Sequence, residues 1–176
     1  MSAPPAFRRL LLESIPRLRR YARSLVFDAA LADDLTQHTL ERALTRWRQF
    51  DAQRDLLVWL LSIAHNAHLD GLRRDARLSF AEPAEMERVQ DQAGGHAGAD
   101  VGLRLDLQAA LARLAPEQRE PLLLVCVEQL SYAEVAEVMH IPIGTVMSRV
   151  CRARATLRRF LEGAEPAAAP TLRRVV

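Results

Sequence analysis

LSYAEVAEVMHIPIGTVMSRVCRARATLRR, Leu130 to Arg159, is the stretch on which the reading of this chain turns. It divides into a short helix with a start signal, a tight turn, and a second helix carrying five arginines and no acid. Ser131 followed three residues later by Glu134 is the pairing of a capping box, in which the hydroxyl accepts from the Glu134 N–H and the carboxylate reaches back to the N–H of Ser131. The first helix therefore begins at Tyr132. Val135, Ala136 and Met139 form its apolar face, with Ala136 small enough for a close crossing, and Ile141, Val146 and Val150 supply the opposing face. The turn falls at His140 to Ile143. His140 stands where such a chain needs φ > 0, a conformation in which His is one of the few enriched residues besides Gly. Pro142 suits a helix entry, where an N–H would lack an intrahelical partner. From Gly144 the second helix presents Thr145, Met147, Ser148, Cys151, Arg152 and Arg154 away from the apolar face. This is the pattern of a helix-turn-helix that lays its second helix on DNA.

Composition bounds the rest. With 176 residues, 49% of them hydrophobic, the chain is long enough for one medium core or two small ones. No apolar run approaches the ~20 residues of a membrane span, and the N-terminus lacks a long apolar signal core, so a cytoplasmic protein without membrane insertion is expected. Cys126 and Cys151 fit no CxxC spacing. His65 and His68 lie one turn apart, but no Cys or Glu completes a recognised metal spacing. No Gly-rich phosphate loop, nucleophile elbow or carboxylate constellation is present, so the reading is of a non-enzyme without cofactor, metal or catalytic residues.

The formal net charge of +2 hides an uneven distribution. Residues 1–77 carry 13 Arg against 9 acids, residues 78–106 carry 2 against 6, and residues 107–176 carry 9 against 7. Two basic modules thus flank an acidic connector, which holds four of the seven glycines and reads as a flexible linker with at most a short helical piece near Ala84 to Gln90. The first module reads as three helices. Phe7, Leu10, Leu11, Ser14, Ile15, Leu18, Tyr21, Ala22 and Leu25 follow a helical period, with Pro16 bending or dividing that helix. A second helix near Leu31 to Gln49 has Leu35, Leu40, Ala43, Leu44 and Trp47 inside. The third, near Leu56 to Arg77, ends in the basic cluster Arg73, Arg74 and Arg77. The expected architecture is all-α: a three-helix domain over 6–77, a linker over 78–104, a four-helix domain with the helix-turn-helix over 105–162, and a disordered tail over 163–176.

The blocks ADDLTQHTLERALTRWRQF, WLLSIAHNAHLDGLRR and LAPEQREPLLLVCVEQLSYAEVAEVMHIPIGTVMSRVCRARATLRR, in this order and spacing, resemble the extracytoplasmic-function branch of the sigma-70 family. The resemblance implies a first domain of sigma region 2 type and a second of region 4 type. It implies core RNA polymerase as a partner, through its β′ clamp helices and β subunit, with Asp34, Leu35, Gln37, Leu40 and Arg42 as polymerase contacts. It implies reading of the melted −10 promoter element by Phe50, His65, Asn66, Asp70, Arg73 and Arg74. Asn66 matches the polar reader of an extruded base, whose lost stacking costs a few kcal/mol. For the −35 element it implies Met147, Ser148, Cys151 and Arg152 on base edges, with Thr145, Arg149 and Arg154 on phosphates. His38 and Met147 depart from the acid and the base frequent at their positions. Such proteins are commonly held by an anti-sigma factor, which becomes a further expected partner.

Promoter elements about 25 base pairs apart are separated by roughly 85 Å, and the 29 residues from 78 to 106 span at most about 100 Å when extended. A stretched linker thus lets both modules engage at once. Two alternatives share these features: a sigma-like decoy that binds an anti-sigma factor, whose usual attached receiver domain has no βαβ pattern here, and a helix-turn-helix regulator without polymerase binding, which leaves the DDLTQ block unexplained.

Overall fold

The computed structural model describes residues 3–81 and 107–161, excepting the side chains of 75–81. Most of the expected linker, its short helical piece and the tail lie outside the described residues. Helix α1 spans Pro5–Val26, α2 Ala29–Thr45 and α3 Leu56–Ala81, with a 3-10 turn at Trp47–Gln49. A helical stretch α4 covers residues 107–112, followed by α5 (Pro116–Cys126), α6 (Tyr132–Met139) and α7 (Ile143–Leu161).

Helix α1 starts with Pro5 in its first turn, where the missing N–H costs nothing, and buries Phe7, Leu11, Leu18, Tyr21, Ala22 and Leu25. Pro16 does not divide it. Pro16 and Leu12 both lie on the solvent side, so the Leu12 carbonyl that loses its helical partner faces water. Asp28 caps α2 by accepting from the Leu31 N–H at 2.7 Å. Helix α3 runs four residues past the expected end at Arg77.

The register of α2 corrects the sequence reading. Its buried residues are Ala32, Thr36, Thr39 and Ala43; Leu35 and Leu40 are half-buried, and Leu44 is 44% exposed. Small residues let α2 lie close to its neighbours, and both threonine hydroxyls are satisfied at 2.7 Å by the carbonyls of Ala32 and Leu35. Thr36 and Thr39 therefore bury without an orphaned donor.

The capping box of α6 is complete: the Ser131 hydroxyl accepts from the Glu134 N–H at 3.2 Å, and the Glu134 carboxylate accepts from the Ser131 N–H at 2.7 Å. The hydroxyl also donates to that carboxylate at 2.7 Å. These bonds, the hydroxyl's first, hold Glu134 below the ordinary carboxylate value near 4.5. A lowered pKa stabilises the fold above the ordinary value, and that contribution is lost as pH falls through the lowered one. Ser131→Ala is expected to cost about 1 kcal/mol at neutral pH, with a difference from the parent that shrinks in acid; urea melts at pH 7 and pH 3.5 check both.

The buried faces meet in two clusters. Phe7, Leu11, Ala43, Leu56 and Leu60 form one with Trp47, Phe50 and Trp59 along its edge. The larger cluster draws on both modules: Leu18, Tyr21, Leu25, Leu57, Leu61 and Ala64 come from the first, and Leu114, Leu124, Leu130, Val135, Val138 and Val146 from the second. The modules are packed together.

Candidate nucleic-acid interface

Helices α6 and α7 cross on Val135, Val138, Met139, Val146, Val150 and Ala153, all buried. Val138, absent from the expected face, joins them, and Ala136 is half-buried against the same cluster. His140 adopts φ 53°, and its N–H closes α6 onto the carbonyls of Ala136 and Glu137. This left-handed residue turns the chain so that α7 leaves with its other face outward.

That face carries Met147, 49% exposed, with Ser148, Cys151, Arg152 and Arg154 also exposed and Thr145 and Arg149 half-buried. All seven expected −35 residues thus lie on α7, five of them exposed. Arg152 folds back along the helix, its Nε donating to the Ser148 carbonyl at 3.2 Å and its guanidinium to the Ser148 hydroxyl at 3.3 Å. Ser148 in turn donates to the Thr145 carbonyl at 3.0 Å. Arg154 reaches the Cys126 sulfur at 3.9 Å. Among the described residues none of the five α7 arginines makes an ion pair. Their charge is available to an anion.

The expected −10 residues are divided. Asn66, Asp70, Arg73 and Arg74 are exposed at positions i, i+4, i+7 and i+8 of α3, one helical face. Asn66 donates to the Ser62 carbonyl at 2.9 Å, and Arg73 pairs with Asp70 at 3.5 Å. Phe50 is half-buried in an aromatic trio, its ring centroid 5.8 Å from Phe7 and 5.4 Å from Trp59. His65 is 4% exposed in this arrangement, and its Nδ1 lies 2.6 Å from Glu120 of α5. It immediately precedes Asn66, and on a helix that single step turns it about 100° toward the interior.

On α2 the expected polymerase residues Asp34 and Gln37 are exposed, Gln37 bonding Glu41 at 2.9 Å, while Leu35, Leu40 and Arg42 are half-buried. Leu31, 58% exposed, and Leu44, 44% exposed, stand on the outer face instead. Sequence reasoning missed Leu31 and placed Leu44 inside.

Behind these faces lies a polar seam that periodicity did not disclose. Tyr21, wholly buried, donates to Glu120 at 2.5 Å, onto the same oxygen that His65 approaches. Burial, then the charge and bond of Glu120, push the Tyr21 hydroxyl well above its ordinary value, so it remains a donor. Burial likewise lowers His68 nearby, opposed by Glu120 and reinforced by Arg119 and His65. Glu128, 1% exposed, is gripped by Arg17 at 3.2 Å and Arg20 at 3.1 Å. Arg119 stacks on Phe27 at 4.8 Å, Arg54 pairs with Glu137, and Ser62 approaches His140 at 3.4 Å. Among the described residues no cluster of three His, Cys, Asp or Glu side chains could hold a metal, and no helix is long and apolar enough to cross a membrane.

A helix-turn-helix module with an unpaired arginine face, joined to a three-helix module, defines a protein of the sigma-factor class. Residues 104–157 match the family model of sigma-70 region 4, and residues 11–65 match that of the sigma2 domain of PhyR. The chain is 35% identical over 158 residues to the ECF RNA polymerase sigma factor EcfG of Rhodopseudomonas palustris, covering 88% of this chain and 86% of that one. It is 39% identical over 140 residues to the ECF sigma factor SigC of Mycobacterium tuberculosis, covering 79% and 73%. Among solved structures, the sigma factor RpoE of Bartonella quintana, in complex with the anti-sigma factor NepR, superposes with a TM-score of 0.80 at 30% identity, over 92% of this chain and 100% of that one. CnrH, in complex with the cytosolic domain of CnrY, gives 0.65 at 27% identity over 91% and 90%. The chain belongs to the extracytoplasmic-function family of RNA polymerase sigma factors.

Proposed function

We propose that this chain binds core RNA polymerase through the outer face of α2 and directs it to promoters with two elements, reading −35 duplex with α7 and melted −10 DNA with the outer face of α3. The observation that carries the reading is the exposed arginine face of α7, without an ion pair among the described residues, in the same chain as a region 2 module whose α2 leaves Leu31 and Leu44 in solvent. An arginine fork reads guanine from the major groove, while further arginines meet phosphates. Asn66, Asp70, Arg73 and Arg74 combine one amide for a base edge with cations for the backbone. The domains serving these tasks are 6–77 and 105–162, and the activity belongs in the cytoplasm with the polymerase. An anti-sigma factor is the proposed regulator, supported by the related sigma factor RpoE solved in complex with the anti-sigma factor NepR.

Transcription in vitro with core enzyme and a pool of genomic templates tests the reading; absence of promoter-dependent transcripts would end it. The match to the sigma2 domain of PhyR favours one second reading, a sigma-like decoy that binds an anti-sigma factor without touching promoters. Retention of core polymerase on the immobilised chain separates the two. Asn66→Ala is expected to slow promoter opening by about tenfold, the equivalent of ~1.4 kcal/mol of lost base-edge contact. Permanganate footprinting of the −10 region measures it, with polymerase binding within twofold of the parent.

A further inference from the structure

We propose that the packed arrangement is a self-inhibited state, latched by Glu120 between Tyr21 and His65 and by Glu128 in the grip of Arg17 and Arg20. The inference rests on the reading of the chain as a reader of two promoter elements. Those elements lie roughly 85 Å apart on straight duplex, whereas here Tyr21, His65 and Glu120 converge on one oxygen within 2.6 Å. Side chains of both modules share one buried cluster. The modules therefore part before both elements are engaged.

The chemistry of the seam suits a switch. Each acid is buried to 4% exposure or less, and each is held by groups of the other module: Glu120 by α1 and α3, Glu128 by two arginines of α1. The Arg17 and Arg20 guanidiniums also bond the carbonyls of Glu128 and Val127 at 2.6 and 3.3 Å. When the seam opens completely, water resolvates all of these groups, and buried ion pairs exchanged for hydrated ions are close to neutral in free energy. A half-open seam leaves buried charges and donors without partners, which is costly. Paired charges at the centre thus make opening all-or-none. The ends of the seam lie beside both candidate DNA readers: Arg54, in the loop after Phe50, is tied to Glu137, and Ser62 meets His140, the turn residue of the helix-turn-helix. Closure thus ties the loop before α3 and the turn of the helix-turn-helix to each other, so the two readers are held close together instead of a promoter's length apart.

The test uses the full chain with Glu128→Ala and, separately, Arg17→Ala with Arg20→Ala, whose side chains are half-exposed at 43% and 54% and leave each module's own core untouched. Small-angle scattering is expected to give the parent a radius of gyration near the roughly 16 Å of a compact chain this long. Both variants should be larger by several Å at unchanged helicity. At limiting protein they should raise transcription from a two-element promoter about fivefold, because apparent affinity scales with the competent fraction. An extended parent that transcribes normally overturns the latch and leaves the promoter reading standing. So do opened variants whose transcription does not rise. A parent silent on every template overturns the proposal together with the reading beneath it.

Discussion

Changing Leu31 and Leu44 together to aspartate is expected to cut affinity for core RNA polymerase by about 100-fold, since placing charges at the apolar centre of an interface costs on the order of 1–2 kcal/mol for each residue. Both side chains stand on the outer face of α2, beside Asp34 and Gln37, and are 58% and 44% exposed. The hydrophobic contacts that fold this module are made on the opposite side, by Ala32, Thr36, Thr39 and Ala43. Folding stability should therefore change by no more than about 0.5 kcal/mol, the usual range for surface substitutions. That separation makes the result interpretable. Equilibrium binding to fluorescently labelled core enzyme, beside a thermal melt, measures both quantities. Full affinity in the double variant would remove α2 from the polymerase interface.

Alanine at Arg152 is expected to lower discrimination between a matched and an altered −35 element by about 10- to 100-fold, in line with ~1–3 kcal/mol for one bidentate base contact. Arg152 lies on the exposed strip of α7, and its guanidinium is oriented by the Ser148 carbonyl and hydroxyl rather than neutralised by an acid. Among the described residues the charge meets no carboxylate that would have to be displaced. Arg149→Ala, by contrast, should weaken all duplexes alike and lessen the salt dependence of binding, as removal of a phosphate contact does. Competition binding with matched and altered −35 duplexes at two salt concentrations distinguishes the roles. Equal loss on both duplexes for Arg152→Ala would reassign it to the backbone.

Local rules made the second module legible. Ser131 and Glu134 cap α6 as their spacing requires, and His140 takes the left-handed conformation that the turn needs. These signals act within a few residues, so no knowledge of the rest of the chain is needed. The exposed strip of α7 follows from the same logic, because Val146, Val150 and Ala153 settle which side is buried.

Helix α2 shows where periodicity fails. Leu35, Leu40, Leu44 and Trp47 were expected inside with Ala43, yet Leu44 faces solvent while Ala32 is buried beside Ala43, and the threonines buried because carbonyls of their own helix accept their hydroxyls. A hydropathy pattern does not register that satisfaction. The burial of His65 was not legible in the sequence for a related reason. Its neighbour Asn66 does face solvent, but the acceptor that draws His65 inward sits 55 positions away on α5.

From the amino-acid order alone came the helical class, the two basic modules and the helix-turn-helix with its arginine face, because caps, turns and apolar periods are short-range properties of the chain. Tertiary structure decided which face of α2 is free, that His65 is buried, and that Glu120 and Glu128 join the modules through partners 55 to 111 positions distant. A period shows that a face will be covered. Only packing decides by what, since the partner of a buried charge is chosen by proximity in space and by the penalty for leaving it alone.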